Sequence, residues 1–332
     1  MRAPAFWSNP PDRPGLLAQL LAPLAWLWTR AARRRLARGA PLRLPVPVVC
    51  VGNITAGGSG KTPTVIALVE RLRARGIDAH VVSRGHGGSL AGPLRVDPAR
   101  HTAAEVGDEP LLLAAFAPVW IGRDRAAAGR AAAEAGARAV VMDDGLQNPA
   151  LAKDLSIVVV DAGFGFGNGR VMPAGPLREP VADGLARAGL LLTIGEPAAR
   201  VRFLGDWPQA AAIPVAAGVL APLRTGMDWR GLRALAFAGI GRPEKFFASL
   251  RALGAELVAA HGFADHAPYG GRILARLKAE ARALHAQLVT TEKDAIRLPA
   301  GFRREVLVLP VRLELADWSP LDAALARIGL GN

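Results

Sequence analysis

From residue 46 onward, continuous apolar runs alternate with amphipathic helical stripes. Val46-Pro47-Val48-Val49-Cys50-Val51 is unbroken by charge, as a strand buried on both faces should be. Residues 62–75 gather Val65, Ile66, Leu68, Val69 and Leu72 on one helical face opposite Glu70, Arg71, Arg73 and Arg75, and Gly76 stops the pattern. Ala79-His80-Val81-Val82-Ser83 follows as a second strand. A short strand from 119, a helix over 126–135 and further strands over 139–142, 155–161 and 190–194 continue the series. Such an order predicts an α/β fold with a mostly parallel sheet. After Pro222 the pattern restarts, with strands at 232–238, 256–260, 287–291 and 306–309 and helices at 244–253 and 271–285. We therefore expect a main domain over 41–222 and a second, smaller α/β domain over 223–332, facing it across a cleft.

The turn after the first strand carries the chemistry. Gly52-Asn53-Ile54-Thr55-Ala56-Gly57-Gly58-Ser59-Gly60-Lys61-Thr62 enters a helix through Gly-Lys-Thr, as a phosphate-binding loop does. Its N–H groups close around phosphate oxygens, the lysine reaches the β- and γ-phosphates, and the hydroxyl serves Mg²⁺. The usual spacing asks for glycine where this chain has Thr55. Downstream, Ala139-Val140-Val141-Met142-Asp143-Asp144 is an apolar strand ending in carboxylates, the Walker B arrangement for Mg²⁺. Together these make the main domain P-loop NTPase-like. Thr55, Gly57, Gly58, Ser59, Gly60, Lys61 and Thr62 are the expected nucleotide contacts. Asp108 and Glu109 open a helix, where two carboxylates either cap it or act as base and metal ligand. Arg84 and Arg125 follow strand ends, where ligands bind in such sheets. The glycine-rich run 163–170 is long enough to suggest a functional loop. Glu292-Lys293-Asp294 lies either at a ligand edge or at a plain helix start.

Charge and composition refine the partner rather than the fold. The chain has 332 residues and a formal net charge of +13, which points to nucleic acid, anionic lipid or a phosphorylated substrate. No stacking-aromatic or helix–turn–helix pattern supports nucleic acid, and there is a single tyrosine, Tyr269. One cysteine, Cys50, excludes a disulfide framework or a cysteine zinc site. Residues 14–29 carry no charge but include Trp26 and Trp28, and Arg30, Arg33, Arg34, Arg35 and Arg38 follow. The stretch is short for a membrane span and is interrupted by Pro23. It suits an interfacial helix with arginines on anionic head groups, or else an ordinary core helix with a basic end. Residues 1–40 are thus expected to associate with a membrane surface. No cleavable signal peptide is evident, which favours the cytoplasm.

These motifs, in order, resemble the tetraacyldisaccharide 4′-kinase family, the lipid A 4′-kinases of Gram-negative bacteria. Besides the two loops above they include Ser83-Arg84-Gly85, Gly107-Asp108-Glu109-Pro110, Asp143-Asp144-Gly145-Leu146-Gln147 and Pro173-Ala174-Gly175-Pro176-Leu177-Arg178-Glu179-Pro180. Ala238-Gly239-Ile240-Gly241-Arg242-Pro243-Glu244-Lys245-Phe246-Phe247 and Thr290-Thr291-Glu292-Lys293-Asp294 complete the set. Thr55 belongs to this family's variant loop. Asn148 and Ala267 stand where the family often has histidine. The resemblance implies Mg²⁺-assisted transfer from ATP to the 4′-hydroxyl of a tetraacylated disaccharide 1-phosphate, with no nucleic acid and no obligate protein partner. It places the chain at the cytoplasmic face of the inner membrane, on an anionic surface. It implies Asp108 as base paired with His266, with Lys61 and Asp144 also catalytic. Thr62, Glu109, Asp143 and Asp144 would form the metal shell. Arg84, Arg125, Gln147, Arg178 and Glu179 would meet the acceptor.

Overall fold

The computed structural model describes residues 4–331, so the first three residues of the expected 1–40 segment and Asn332 lie outside it. The strands before residue 223 are β1 (Val48–Gly52), β2 (Ala79–Ser83), β3 (Leu94–Arg95), β4 (Val119–Ile121), β5 (Ala139–Asp143), β6 (Leu155–Asp161), β7 (Leu190–Ile194) and β8 (Val215–Pro222). A second set comprises β9 (Arg233–Ala238), β10 (Glu256–Gly262), β11 (Gln287–Thr291) and β12 (Val306–Leu309), and β13 (Val311–Leu315) comes last. The large sheet runs β13-β8-β7-β6-β1-β5-β2-β4-β3 and the small one β10-β9-β11-β12. The small sheet is parallel throughout, and the large one is parallel except at its edges, β3 and β13. The fold is the α/β, P-loop-like architecture expected from the alternation.

β1 lies between β5 and β6 at the centre of the large sheet, so its carboxyl end opens at the reversal of strand order, the crevice that binds ligands in such sheets. The helix Lys61–Ala74 leaves that crevice and buries Val65, Ile66, Leu68, Val69 and Leu72 against one face of the sheet. On the other face, Ala128 and Ala132 of the helix Arg125–Glu134 pack with Cys50, Val140 and Met142.

One expectation needs correcting. Residues 311–330 do not belong to the small lobe. β13 pairs antiparallel with β8, and the helix Ser319–Ala326 buries Leu321 and Leu325 in the large-sheet core beside Leu68. Asp322 at its start holds Arg71 and Arg75 of the helix beneath the phosphate loop. The small lobe is therefore an insertion between β8 and β13.

The glycine-rich run 163–170 also turns out differently: it packs Phe166 against Phe203 and Trp207, and its buried Asn168 bonds the carbonyls of Phe6 and Ala174. This loop is framework. The N-terminal stretch forms two helices, Leu16–Leu20 and Ala22–Ala37, with Pro23 in the first turn of the second, where proline is tolerated. Ala18 and Ala25 face inward, whereas Leu16 (78% exposed), Leu20, Leu24, Trp26 (61% exposed) and Leu27 face outward. Among the described residues no helix is long and apolar enough to cross a membrane.

Candidate active site

The phosphate loop is shaped by two glycines with left-handed backbone, Gly57 at φ 109° and Gly60 at φ 92°. A Cβ on Gly60 would also lie 2.6 Å from Ile194 Cδ1, so glycine is required there for two reasons. Lys61 Nζ donates to Asn53 Oδ1 at 3.2 Å and lies 3.7 Å from Asp144 Oδ1. Thr62 Oγ1 lies 3.5 Å from Glu109 Oε1. Thr55 is buried and bridges Leu177, while Ala56 N donates to Pro176 O and Arg178 N to Ile54 O. The 173–180 segment thus straps the root of the loop. Thr55 braces that root, and residues 57–62 lie beyond the strap.

Asp143 and Asp144 leave β5 in different environments. Asp143 is buried, and its Oδ2 accepts from Ser83 at 3.1 Å while its Oδ1 has no hydrogen-bond partner. Burial, then the charges of Glu109 and Asp144, push its carboxyl up to about 7. Asp144, at φ 49°, accepts from Arg178 Nη1 at 2.8 and 3.0 Å. Burial opposes its ionisation, but Lys61 and Arg178 outweigh burial and hold it below the usual carboxylate range.

The opposite wall comes from the small lobe. His266 Nδ1 lies 2.9 Å from Asp108 Oδ2 and 3.1 Å from Oδ1, joining residues 158 positions apart. Asp108 is buried at the start of the helix Asp108–Leu113. Burial would raise its pKa, but the hydrogen bond from His266 and the charges of Lys293, His266 and Arg297 bring it below the ordinary value. The Asp108 bond raises His266 against burial and Lys293. Lys293 Nζ reaches Glu109 Oε1 at 3.1 Å and His266 Nε2 at 3.3 Å. An ammonium only donates, so in the neutral ring the proton sits on Nδ1, facing Asp108.

Several expected acceptor contacts are struts instead. Arg125 is 4% exposed and its Nη1 donates to the carbonyls of Val82 and Asp143, tying together the ends of β2 and β5. Glu179, 2% exposed, is held by Arg187 and Gln147, and Gln147 also donates to Asn53 O. Arg125 and Glu179 are thereby corrected from acceptor contacts to buried struts, whereas Gln147 is only half-buried. Arg84 is exposed and Arg178 half-buried at the crevice, so both remain open to a ligand. Asn53, Ser83, Lys293 and Arg297 are site residues that the sequence reading did not assign. Lys293 had one signal, the strand-end position of its motif; its neighbour Thr291 caps the helix Glu292–Arg297.

The central phosphate loop and the paired strand-end carboxylates define a P-loop phosphotransferase, with a carboxylate–imidazole pair at its edge. Residues 17–329 match the family described as Tetraacyldisaccharide-1-P 4'-kinase. The chain is 64% identical to the tetraacyldisaccharide 4'-kinase of Dinoroseobacter shibae over 98% of this chain and 97% of that protein. It is 55% identical to that of Jannaschia sp. over 99% of each. It also resembles the crystal structure of the "apo" form of LpxK from Aquifex aeolicus in complex with ATP, with a TM-score of 0.75 at 25% identity, covering 94% of this chain and 99% of that one. The chain belongs to the tetraacyldisaccharide-1-P 4'-kinase family. It is a kinase of lipid A biosynthesis, and its substrate is an acylated disaccharide 1-phosphate.

Proposed function

We propose that Asp108, paired with His266, accepts the proton of the sugar 4′-hydroxyl as the γ-phosphoryl group of ATP is transferred to it. The observation that carries this reading is the Asp108–His266 contact across the cleft, linked through Lys293 and Glu109 to Thr62 of the phosphate loop. The carboxyl is held ionised by its cationic surroundings, so it stands in the proton-accepting form. His266 then steadies the protonated pair from the small lobe. Residues 57–62 cradle the phosphates, Lys61 neutralises charge on the transferring group, and Arg178 and Arg84 meet the acceptor side.

The donor set fits Mg²⁺. Asp143 Oδ1 is buried and unpartnered, Asp144 lies beside it, and the Thr62 hydroxyl and Glu109 face the same loop. Mg²⁺ is held by one or two carboxylates plus substrate phosphates, so a closed all-protein cage is not required. When bound, the ion neutralises charge on the β- and γ-phosphate oxygens.

The finer location also belongs to this reading. Residues 1–40 are the membrane-associating segment, and they rest on the anionic cytoplasmic face of the inner membrane. Exposed leucines and tryptophans beside Arg30, Arg33, Arg34 and Arg35 support it. Trp28 Nε1 donates to Arg178 O at 3.1 Å and Arg33 pairs with Asp183, so the same helix is tied to the 173–183 edge of the site.

The test is turnover of tetraacyldisaccharide 1-phosphate with Mg²⁺ and ATP. Asp108→Asn should lower kcat by about 10²–10⁴ and leave ATP affinity within about threefold. Wild-type turnover by Asp108→Asn would end the proposal.

A further inference from the structure

We infer that Arg297 is a positioning residue for the phosphoryl transfer, locking His266 in place and aligning Asp108 from the far lobe. The inference rests on the reading of Asp108 and His266 as the base pair. Arg297 ends the helix Glu292–Arg297, and its side chain is nearly buried in the wall of the small lobe. Nη1 donates to Ala267 O at 2.9 Å and Nη2 to Gly239 O at 2.9 Å. Gly239 O also receives the backbone N–H of His266 at 3.3 Å. The guanidinium therefore holds both the carbonyl that follows His266 and the carbonyl that His266 itself bonds.

That double grip matters because His266 sits at φ 58°, a left-handed conformation that a non-glycine residue keeps only when its surroundings impose it. Arg297 is fixed in turn: Asp294, fully buried, pairs with its Nη2 and accepts from Tyr269 and Gly239 N, and the Tyr269 ring lies under the guanidinium. The third nitrogen, Nε, is buried, lacks a hydrogen-bond partner, and lies 3.7 Å from Asp108 Oδ2. An approach of the lobes by about 0.5 Å brings that donor within hydrogen-bond reach of the carboxylate. A buried, unpaired donor this close to a carboxylate is costly unless a further state uses it. The Ala267 side chain plays no part in the grip, because Arg297 uses only its carbonyl.

The experiment is a double-mutant cycle of Arg297→Gln and Asp108→Asn in the full chain, with kcat and the KM for ATP measured separately. Arg297→Gln should lower kcat by about ten- to a hundredfold, as misplaced catalytic groups do, with KM for ATP changed by less than about threefold. In the Asp108→Asn background the same change should cost almost nothing further, because the group being aligned is already gone. Equal losses in both backgrounds, or Arg297→Gln with wild-type kcat, would overturn the role of Arg297. Asp108→Asn with wild-type turnover would instead remove the base-pair reading. If Arg297→Gln does not fold, the decision passes to the Arg297 Nε–H resonance in otherwise wild-type protein. Asp108→Asn should shift that resonance and Glu109→Gln should not, and a resonance unmoved by Asp108→Asn overturns the proposal.

Discussion

The floor and the wall of the cleft are built by opposite strategies. The floor is one strand, one loop and one helix start, closed by contacts such as Lys61 to Asn53 eight residues apart and by the carboxylates of the adjacent strand. The wall joins Asp108 to His266 and Lys293 to Glu109 across 158 and 184 positions. On the mechanism proposed above, gripping phosphate belongs to the large lobe alone, whereas removing the acceptor's proton requires both lobes together. Damage to the floor should affect nucleotide binding and turnover alike, and damage to the wall should affect turnover selectively.

The largest effect is expected at the floor. Lys61→Ala should cut kcat/KM by at least about 10³ and weaken ATP affinity measured by calorimetry; unchanged affinity would mean that the floor does not act alone. Next comes His266→Ala, with a fall in kcat of about 10²–10³ and ATP affinity kept within about threefold. A parallel loss of ATP affinity would erase the contrast between the two regions. A smaller effect is expected from the latch between the lobes, where Asp161 at the end of β6 receives Arg242 Nη1 at 2.7 Å and Lys245 Nζ at 2.5 Å. Asp161→Asn should reduce kcat by about threefold to tenfold and raise solvent exchange along residues 239–243. The smallest is Asp322→Asn at the foot of the floor. Hydrogen bonding to Arg71 leads the causes that depress the Asp322 pKa. Its stabilising contribution is therefore present above the unfolded carboxylate pKa and is lost as pH falls through the lower folded value. A modest drop in Tm at pH 7 that vanishes in strong acid is the expected result.

The same contrast explains what could be read from the sequence. The phosphate loop and Asp143-Asp144 stand out because their chemistry is local: glycines, a lysine and an apolar strand announce a shape with no knowledge of the rest of the chain. The family resemblance carried the Asp108–His266 pairing, which nothing local announces. β8 and β13 were missed as strands. β8 is rich in alanine and glycine, weak strand formers, and Gly218 is needed because a Cβ there would meet Leu313 Cδ1 at 2.8 Å. Its pairing is set by the partner strand and not by its own propensity. Arg125 reads as an acceptor contact because charge at a strand end suggests a ligand, and Glu179 reads so only through the family resemblance. Their burial depends on carbonyls and an arginine brought in from other elements. Arg297 reads as an ordinary basic end of a short helix until the loops around His266 are in place.

The chain crosses into the small lobe after β8 and returns at β13, and the two crossings lie side by side, with Pro222 opposite Val311 and Leu223 N bonded to Pro310 O at 2.9 Å. A body carried on two ribbons laced together can swing about their common line but resists sliding and swivelling. His266, Lys293 and Arg297 all ride on the one body that these paired crossings carry, so a displacement of that body would move the three side chains together.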